Sequence, residues 1–343
     1  MNRTLMAACL AATALGALTA PALAETRKLR VADSFPAGHY LVKLIIQPWM
    51  AEVTKRTNGG VTFEYFPSQQ IGKAADMLKL TQSGVVDIGY VAPAYVSDKM
   101  VASEVAMLPG GFTTACEGTK AYLETARNGL VAAEDYTPNK IKLLLAVALP
   151  PYQILTVKAP VASEPDLKGL KLRTTGGAQD LTLRSIGATP VRMAAPDTYE
   201  SLSRGTLDGV LFPLDSVISY NVDKLVKYST EGENFGSFIV AYSISDATWA
   251  KLAPETQKAM AEAAEAVNKT ACAEVDRQDD ETRQKLKTSG VTFAPLPPAM
   301  HASIAGKLSA VGDEWARGLD GRGKKGSEVL KEFRALLKKQ AGG

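Results

Sequence analysis

Short apolar runs alternate with longer stretches of helical spacing along most of this chain, a pattern of strands followed by helices. Lys28 to Ala32 reads as a strand, Tyr40 to Arg56 as a helix stopped by Asn58-Gly59-Gly60, and Val61 to Phe66 as a second strand. A helix from about Lys73 to Gln82 and a strand from Asp87 to Val91 complete a first set. A second set begins near Lys140, with strands at Ile141 to Val147, Gln153 to Val157, Leu170 to Arg173, Pro190 to Met193 and Asp208 to Leu211. Its helices run up to Ile186 and from Pro196 to Ser203. Alternation of this kind predicts mainly parallel α/β layers. A weak echo links the two sets: Gly84-Val85-Val86-Asp87 and Gly205-Thr206-Leu207-Asp208 each join a helix to a strand, with glycine suited to the helix end and aspartate to the turn. The spacing is common punctuation, compatible with two similar lobes without requiring duplication.

From Pro254 to Ser289 no glycine and no further proline interrupts the chain, and Met260, Ala264, Val267, Ala271, Val275, Thr282 and Leu286 keep a broadly helical spacing. Pro254 suits a first turn and Gly290 a stop. One helix of that length would span roughly 54 Å, enough to buttress two lobes. The alternative is two shorter helices broken near Asp279-Asp280.

Candidate chemistry centres on Arg173. Leu170, Leu172 and Thr174-Thr175-Gly176-Gly177 read as a short strand running into a glycine turn and a helix. There a guanidinium and backbone N–H groups can converge on an anion such as a carboxylate. A strand-end arginine taken alone is more often a solvated or structural ion pair.

Composition narrows the class. With 46% hydrophobic and 22% charged residues in 343, the chain is an ordinary globular protein with enough length for two cores, and its net charge of +3 is no nucleic-acid footprint. Arg3, an apolar run from Leu5 to Leu18 and the Ala22-Leu23-Ala24 tripeptide form an expected signal peptide over residues 1–24, cleaved before Glu25. Cys9 sits too close to the start for a lipid-anchor reading. Cys116 and Cys272 would remain, either paired in an exported compartment or as two separate thiols. An enzyme finds little support. His39 and His301 make no zinc site, and neither a H-E-x-x-H motif nor a G-x-S-x-G elbow occurs. Gly321-Arg322-Gly323-Lys324-Lys325-Gly326 matches G-x-G-x-x-G but follows no strand, so it reads as a solvated loop.

Four segments together resemble the periplasmic solute receptors of tripartite ATP-independent periplasmic (TRAP) transporters, the DctP-type family. They are Pro67-Ser68-Gln69-Gln70-Ile71-Gly72, Leu167 through Arg173, Gly187-Ala188-Thr189-Pro190-Val191, and Tyr199 through Gly209. The resemblance implies a two-lobed α/β periplasmic-binding-protein fold with a ligand cleft between lobes and a long bracing helix. Lobe 1 would take residues 25–150 plus about 236–270, and lobe 2 residues 151–235 plus about 271–343. It further implies a non-enzymatic, periplasmic receptor that binds a small organic acid; no cofactor is expected, and although some relatives use a cation beside the carboxylate, no metal is expected here because the acidic residue it would need near Phe212 is missing. Small and large TRAP membrane permease subunits, driven by an ion gradient, would be its partners. A receptor for an ATP-driven importer is the rival with the same two-lobed plan.

In that family the arginine at the position of Arg173 pairs with the ligand carboxylate. Departures from the family pattern bear on the ligand. An asparagine often found after the Asp-Gly pair is replaced by Phe212, an arginine or glutamine by Tyr152, and a glutamate by Ala92. These replacements favour one carboxylate with an apolar or aromatic body, enclosed by Tyr90, Tyr95, Tyr152 and Phe212. Phe35, Pro93, His39 and Gln70 are the expected contribution of the first lobe. Asp215 stands near the expected cleft and is read as a helix cap.

Overall fold

The structure, a computed structural model, describes residues 26–341, so the expected signal peptide and Cys9 lie outside the described residues. The first parallel unit is β1 (Arg27–Ala32), a π turn (Val42–Ile46) leading into α1 (Gln47–Arg56), β2 (Val61–Phe66), α2 (Met77–Gln82) and β3 (Ile88–Tyr90). After α3 (Ala115–Asn128) and β4 (Ile141–Ala148) the chain enters a second unit. It contains β5 (Gln153–Thr156), α4 (Glu164–Leu167), β6 (Lys171–Thr174), α5 (Ala178–Ser185), β7 (Thr189–Arg192), α6 (Thr198–Ser203), β8 (Gly209–Phe212), α7 (Leu214–Ser219) and β9 (Tyr228–Glu231). It returns through β10 (Ile239–Ser245) and α8 (Asp246–Trp249) to α9 (Pro254–Thr288), β11 (Thr292–Pro295), α10 (Pro298–Asp320) and α11 (Gly326–Ala341).

The strands form two sheets, ordered β2-β1-β3-β10-β4 and β11-β9-β5-β8-β6-β7. The runs β2-β1-β3 and β7-β6-β8 repeat one parallel arrangement, each flanked by an antiparallel strand, β10 or β5. The weak sequence echo therefore has a structural counterpart. Gly84 and Gly205 both end a helix in the left-handed region, at φ 72° and 70°. The Asp87 carboxylate accepts from the Arg30 N–H at 2.8 Å and the Asp208 carboxylate from the Lys171 N–H at 2.9 Å, so each aspartate is tied to the backbone of the neighbouring strand, within β1 in the first case and at the start of β6 in the second.

Each antiparallel strand is reached by crossing from the other sheet, and the two crossings are bonded together. Leu149 N–H donates to Phe238 C=O at 2.9 Å, Tyr152 N–H to Gly236 C=O at 2.8 Å, and the Ser237 hydroxyl to Leu149 C=O at 2.5 Å. These segments join the lobes beside the strand ends where a cleft forms.

The long helix is unbroken over 35 residues, about 52 Å at 1.5 Å per residue. Arg283 pairs with Asp279 at 2.8 Å, and Arg277 holds both Glu274 and Glu281, so i,i+3 and i,i+4 ion pairs carry the helix through its most polar stretch. Along its length it receives the Trp49 indole N–H on Met260 C=O at 3.2 Å, then the Cys116–Cys272 disulfide, then a bond from the Thr282 hydroxyl to Asp215. Asp215 is thus a tie between α7 and α9, and the expected cap role is corrected: α7 begins at Pro213 with no side-chain cap. The last two helices divide between the lobes, α10 packing on α5 and α11 on α3. A lobe boundary near 271 does not anticipate this return of the C-terminal helix. Residues 321–325 are exposed turn, in keeping with a solvated loop.

Candidate ligand-binding site

β6 lies between β7 and β8, with Arg173 opposite Val191 and Val210 near the end of the strand, and its side chain reaches Tyr95 of the other lobe. Its side chain is 1% exposed. Nε donates to Met193 C=O at 3.1 Å, the guanidinium carbon stands 4.6 Å from the centre of the Phe212 ring, and a terminal nitrogen lies 3.4 Å from the Tyr95 hydroxyl. Tyr95 belongs to the turn after β3, in the first lobe, and its hydroxyl also accepts the Ala195 N–H of the second at 3.2 Å. Among the described residues no ion pair includes Arg173. A buried cation balanced only by a carbonyl, a hydroxyl and a ring face is a site that a bound anion would complete.

Six of the nine sequence-predicted site residues meet here: Phe35, Tyr90, Tyr95, Tyr152, Arg173 and Phe212 line one interlobe cavity. The cavity has a volume of only about 20 Å³, room for about one water, so these closely packed rings and lobes must part before an acid can enter. Burial raises the hydroxyls of Tyr90 and Tyr152 well above the usual tyrosine range, so both remain neutral. The other three residues stand outside the lining. Pro93 opens the buried turn that carries Tyr95. Gln70 is exposed. His39 is 1% exposed but lies behind Phe35, with ring centres 4.6 Å apart, and burial lowers its pKa to about 3, so it is neutral.

The lining also includes Leu149, Phe238 and Val240 from the crossing segments, and Tyr220 from the end of α7. Sequence reasoning missed these. Local spacing gives no sign that the hinge itself faces the ligand, although two aromatic residues, Phe235 and Phe238, flank Gly236-Ser237 there. Behind Phe35, the Asp33 carboxylate accepts from the Tyr65 and Tyr242 hydroxyls at 2.6 and 2.9 Å and from the Phe35 N–H at 3.0 Å. Burial still raises its pKa to about 6.

One expectation about the anion seat needs correction. The glycine turn after Arg173 was expected to offer backbone N–H groups to the anion, but the start of α5 is already occupied. Glu104, from the first lobe and 5% exposed, lies against Gly177 and the Ala178 N–H. Gly177 (φ 55°) leaves the room: a side chain there would collide with the Glu104 carboxyl group. The Thr175 N–H is taken by the Gln179 side chain at 3.0 Å. Arg192 reaches back from β7 to Ala94 C=O at 3.3 Å. The Glu104 and Arg192 contacts, which cross between the lobes, hold them together beside the cavity.

Glu104 also makes a pH prediction. Burial, chiefly, raises its pKa to about 8 from 4.5, against the Ala178 N–H and Arg192, which lower it. Between those values the native protein keeps a proton that the unfolded chain has lost, so stability falls as pH rises and the loss is complete above about pH 8. The denaturant midpoint is expected to rise from pH 8.5 to pH 6, and Glu104→Gln to flatten most of that slope. A slope unchanged in the variant would assign it elsewhere.

A wider hollow between α10, α11 and residues 108–111 contains the Glu233–His301 pair at 2.7 Å. Its basic side chains, His301 and Arg334, are about half exposed and paired with acids, so it lacks the unbalanced buried charge of the interlobe cavity.

A model of the DctP family, described as bacterial extracellular solute-binding protein, family 7, matches residues 31–318. The chain belongs to that family. This family 7 solute-binding protein is 27% identical over 340 residues to the C4-dicarboxylate-binding periplasmic protein DctP of Rhodobacter capsulatus, covering 92% of this chain and 95% of the relative. Among solved structures, a TRAP periplasmic solute-binding protein of Bordetella bronchiseptica with bound (R)- and (S)-mandelate is similar at TM-score 0.82 and 26% identity, over 91% of this chain and 99% of that one. A TRAP solute-binding protein of Rhodoferax ferrireducens T118 in complex with copurified benzoate shares the fold at TM-score 0.85 and 24% identity, over 92% and 99%. The two-lobed expectation and the DctP-type resemblance hold. Among the described residues no helix is long and apolar enough to cross a membrane.

Proposed function

We propose that this receptor binds a small monocarboxylic acid with an aromatic or branched apolar body, fixes its carboxylate on Arg173, and delivers it from the periplasm to the membrane subunits of a TRAP permease. The observation that carries this reading is the buried, unbalanced Arg173 guanidinium facing a cavity walled by aromatic rings from both lobes. A planar fork gives two charge-assisted hydrogen bonds to one carboxylate. The remaining walls are chiefly rings and aliphatic groups, which favour an apolar body over a sugar ring. No second buried cation lines the cavity, which disfavours a dicarboxylate. Mandelate and benzoate in the two solved relatives support the same class.

A thermal-shift panel tests it, since a ligand that binds only the native state raises its apparent stability with concentration over Kd. Benzoate, phenylacetate and branched 2-oxo acids are expected to raise the melting temperature well above succinate and galacturonate. Stabilisation by the latter two alone would overturn the aromatic pocket. The acid recovered after binding is expected unchanged, as for a receptor without catalysis.

A further inference from the structure

Tyr220 lines the cavity, is 8% exposed, and sets its ring edge-on to Phe212 with centres 6.1 Å apart. Its hydroxyl is buried without a hydrogen-bond partner. Directly behind it, at 4.9 Å between ring centres, is His39. The Leu41 N–H donates to His39 Nδ1 at 3.2 Å, which leaves the imidazole proton on Nε2, and that N–H is buried and partnerless too. Two adjacent polar groups are therefore desolvated with nothing in the protein to receive them. Native structures keep few such groups, and one that stands at the wall of a ligand cavity can be completed by the ligand.

A carboxylate seated on Arg173 has donors enough without that hydroxyl. The two ends of the Arg173 fork match its two oxygens, and Tyr95 already stands beside the guanidinium. The Tyr220 hydroxyl is surplus to a plain carboxylate, and, as both donor and acceptor, it suits a hydroxyl or an oxo oxygen. Resting on the acid-binding reading above, we propose that the physiological acid carries a second oxygen function, hydroxyl or oxo, and that Tyr220 is the residue that recognises it. An oxygenated acid would satisfy the orphan hydroxyl, whereas its unsubstituted parent would leave it buried and unpaired.

The test is calorimetry on matched pairs: phenylacetate against mandelate, 3-phenylpropionate against phenylpyruvate, and benzoate against 3-hydroxybenzoate. At least one oxygenated member is expected to bind about 10- to 100-fold more tightly than its parent, the scale of a buried polar group left unpaired. Tyr220→Phe is expected to remove that advantage while changing the parent's affinity by less than about threefold. The ligand-free variant is expected to melt no lower than the wild type, because the hydroxyl it loses had no partner; a hydroxyl with a purely structural role would lower it. Equal affinities within every pair, as a resident water would produce, would overturn the proposal, and so would a variant that weakens both members of a pair alike. Binding of parents without any oxygen preference would sink this inference alone. Binding of none of the acids would remove the acid-site reading and this inference with it.

Discussion

Alanine at position 173 is expected to weaken binding of the preferred acid by about 2 to 4 kcal/mol, roughly 30- to 1,000-fold in Kd. The size follows from what is lost: two charge-assisted hydrogen bonds inside a site closed to water, with the ligand's charge then left facing the Phe212 ring and the Tyr95 hydroxyl. Calorimetry showing less than a tenfold change would count against Arg173 as the carboxylate partner. Arg173→Lys is expected to recover only part of the loss, because a point charge cannot reproduce the fork. The ligand-free protein should move the other way. Arg173 is buried with no carboxylate partner of its own, so Arg173→Met, which keeps much of the volume without the charge, is expected to leave the empty receptor at least as stable as the wild type. Opposite signs for ligand-free stability and ligand affinity distinguish a binding arginine from a structural one.

Loss of the Cys116–Cys272 disulfide is expected to cost about 2 to 5 kcal/mol of unfolding free energy, measured by denaturant titration of the double serine variant. The two cysteines are 156 residues apart in sequence, so their bond removes much of the freedom of the unfolded chain. It also lies where α9 already holds α3. The Asp276 carboxylate accepts the Ala115 and Cys116 N–H groups at 2.5 and 3.1 Å, meeting two of the unpaired donors at the start of α3. Because these groups are remote from the cavity, acid affinity should change by less than about threefold. A variant as stable as the wild type would mean that helix packing and Asp276 suffice without the covalent tie.

Legibility in the sequence followed the physics of each segment. The parallel strands and the long helix were readable because turn residues, spacing and the Pro254 and Gly290 boundaries all lie within the segments they delimit. β10 was not read: every residue from Ile239 to Ser245 is buried, so no alternation marks it, and β9 before it is only four residues long. α10 and α11 likewise went unread, although both are long. At the cavity, residues close to strand ends were foreseen, whereas Tyr220, Leu149, Phe238 and Val240 were not. The first sits at the end of a six-residue helix and the others on or beside the crossings. His39 was expected at the ligand from its place in a strand-end loop of the first lobe, and packing put Phe35 between it and the cavity.

By itself the amino-acid sequence determined the α/β alternation, the family to which the chain belongs, and an arginine followed by a glycine turn at the end of β6. These are local properties, written in spacing and turn chemistry over ten or twenty residues. Only the tertiary structure decided that Cys116 meets Cys272, that Asp215 grips Thr282, and that Glu104 rather than a ligand occupies the start of α5. It also left Tyr220 with a buried hydroxyl and no partner. The reason is that the cavity is built between two lobes, from side chains as far apart in sequence as Phe35 and Val240, and their burial and pairing exist only once the crossings bring the lobes together.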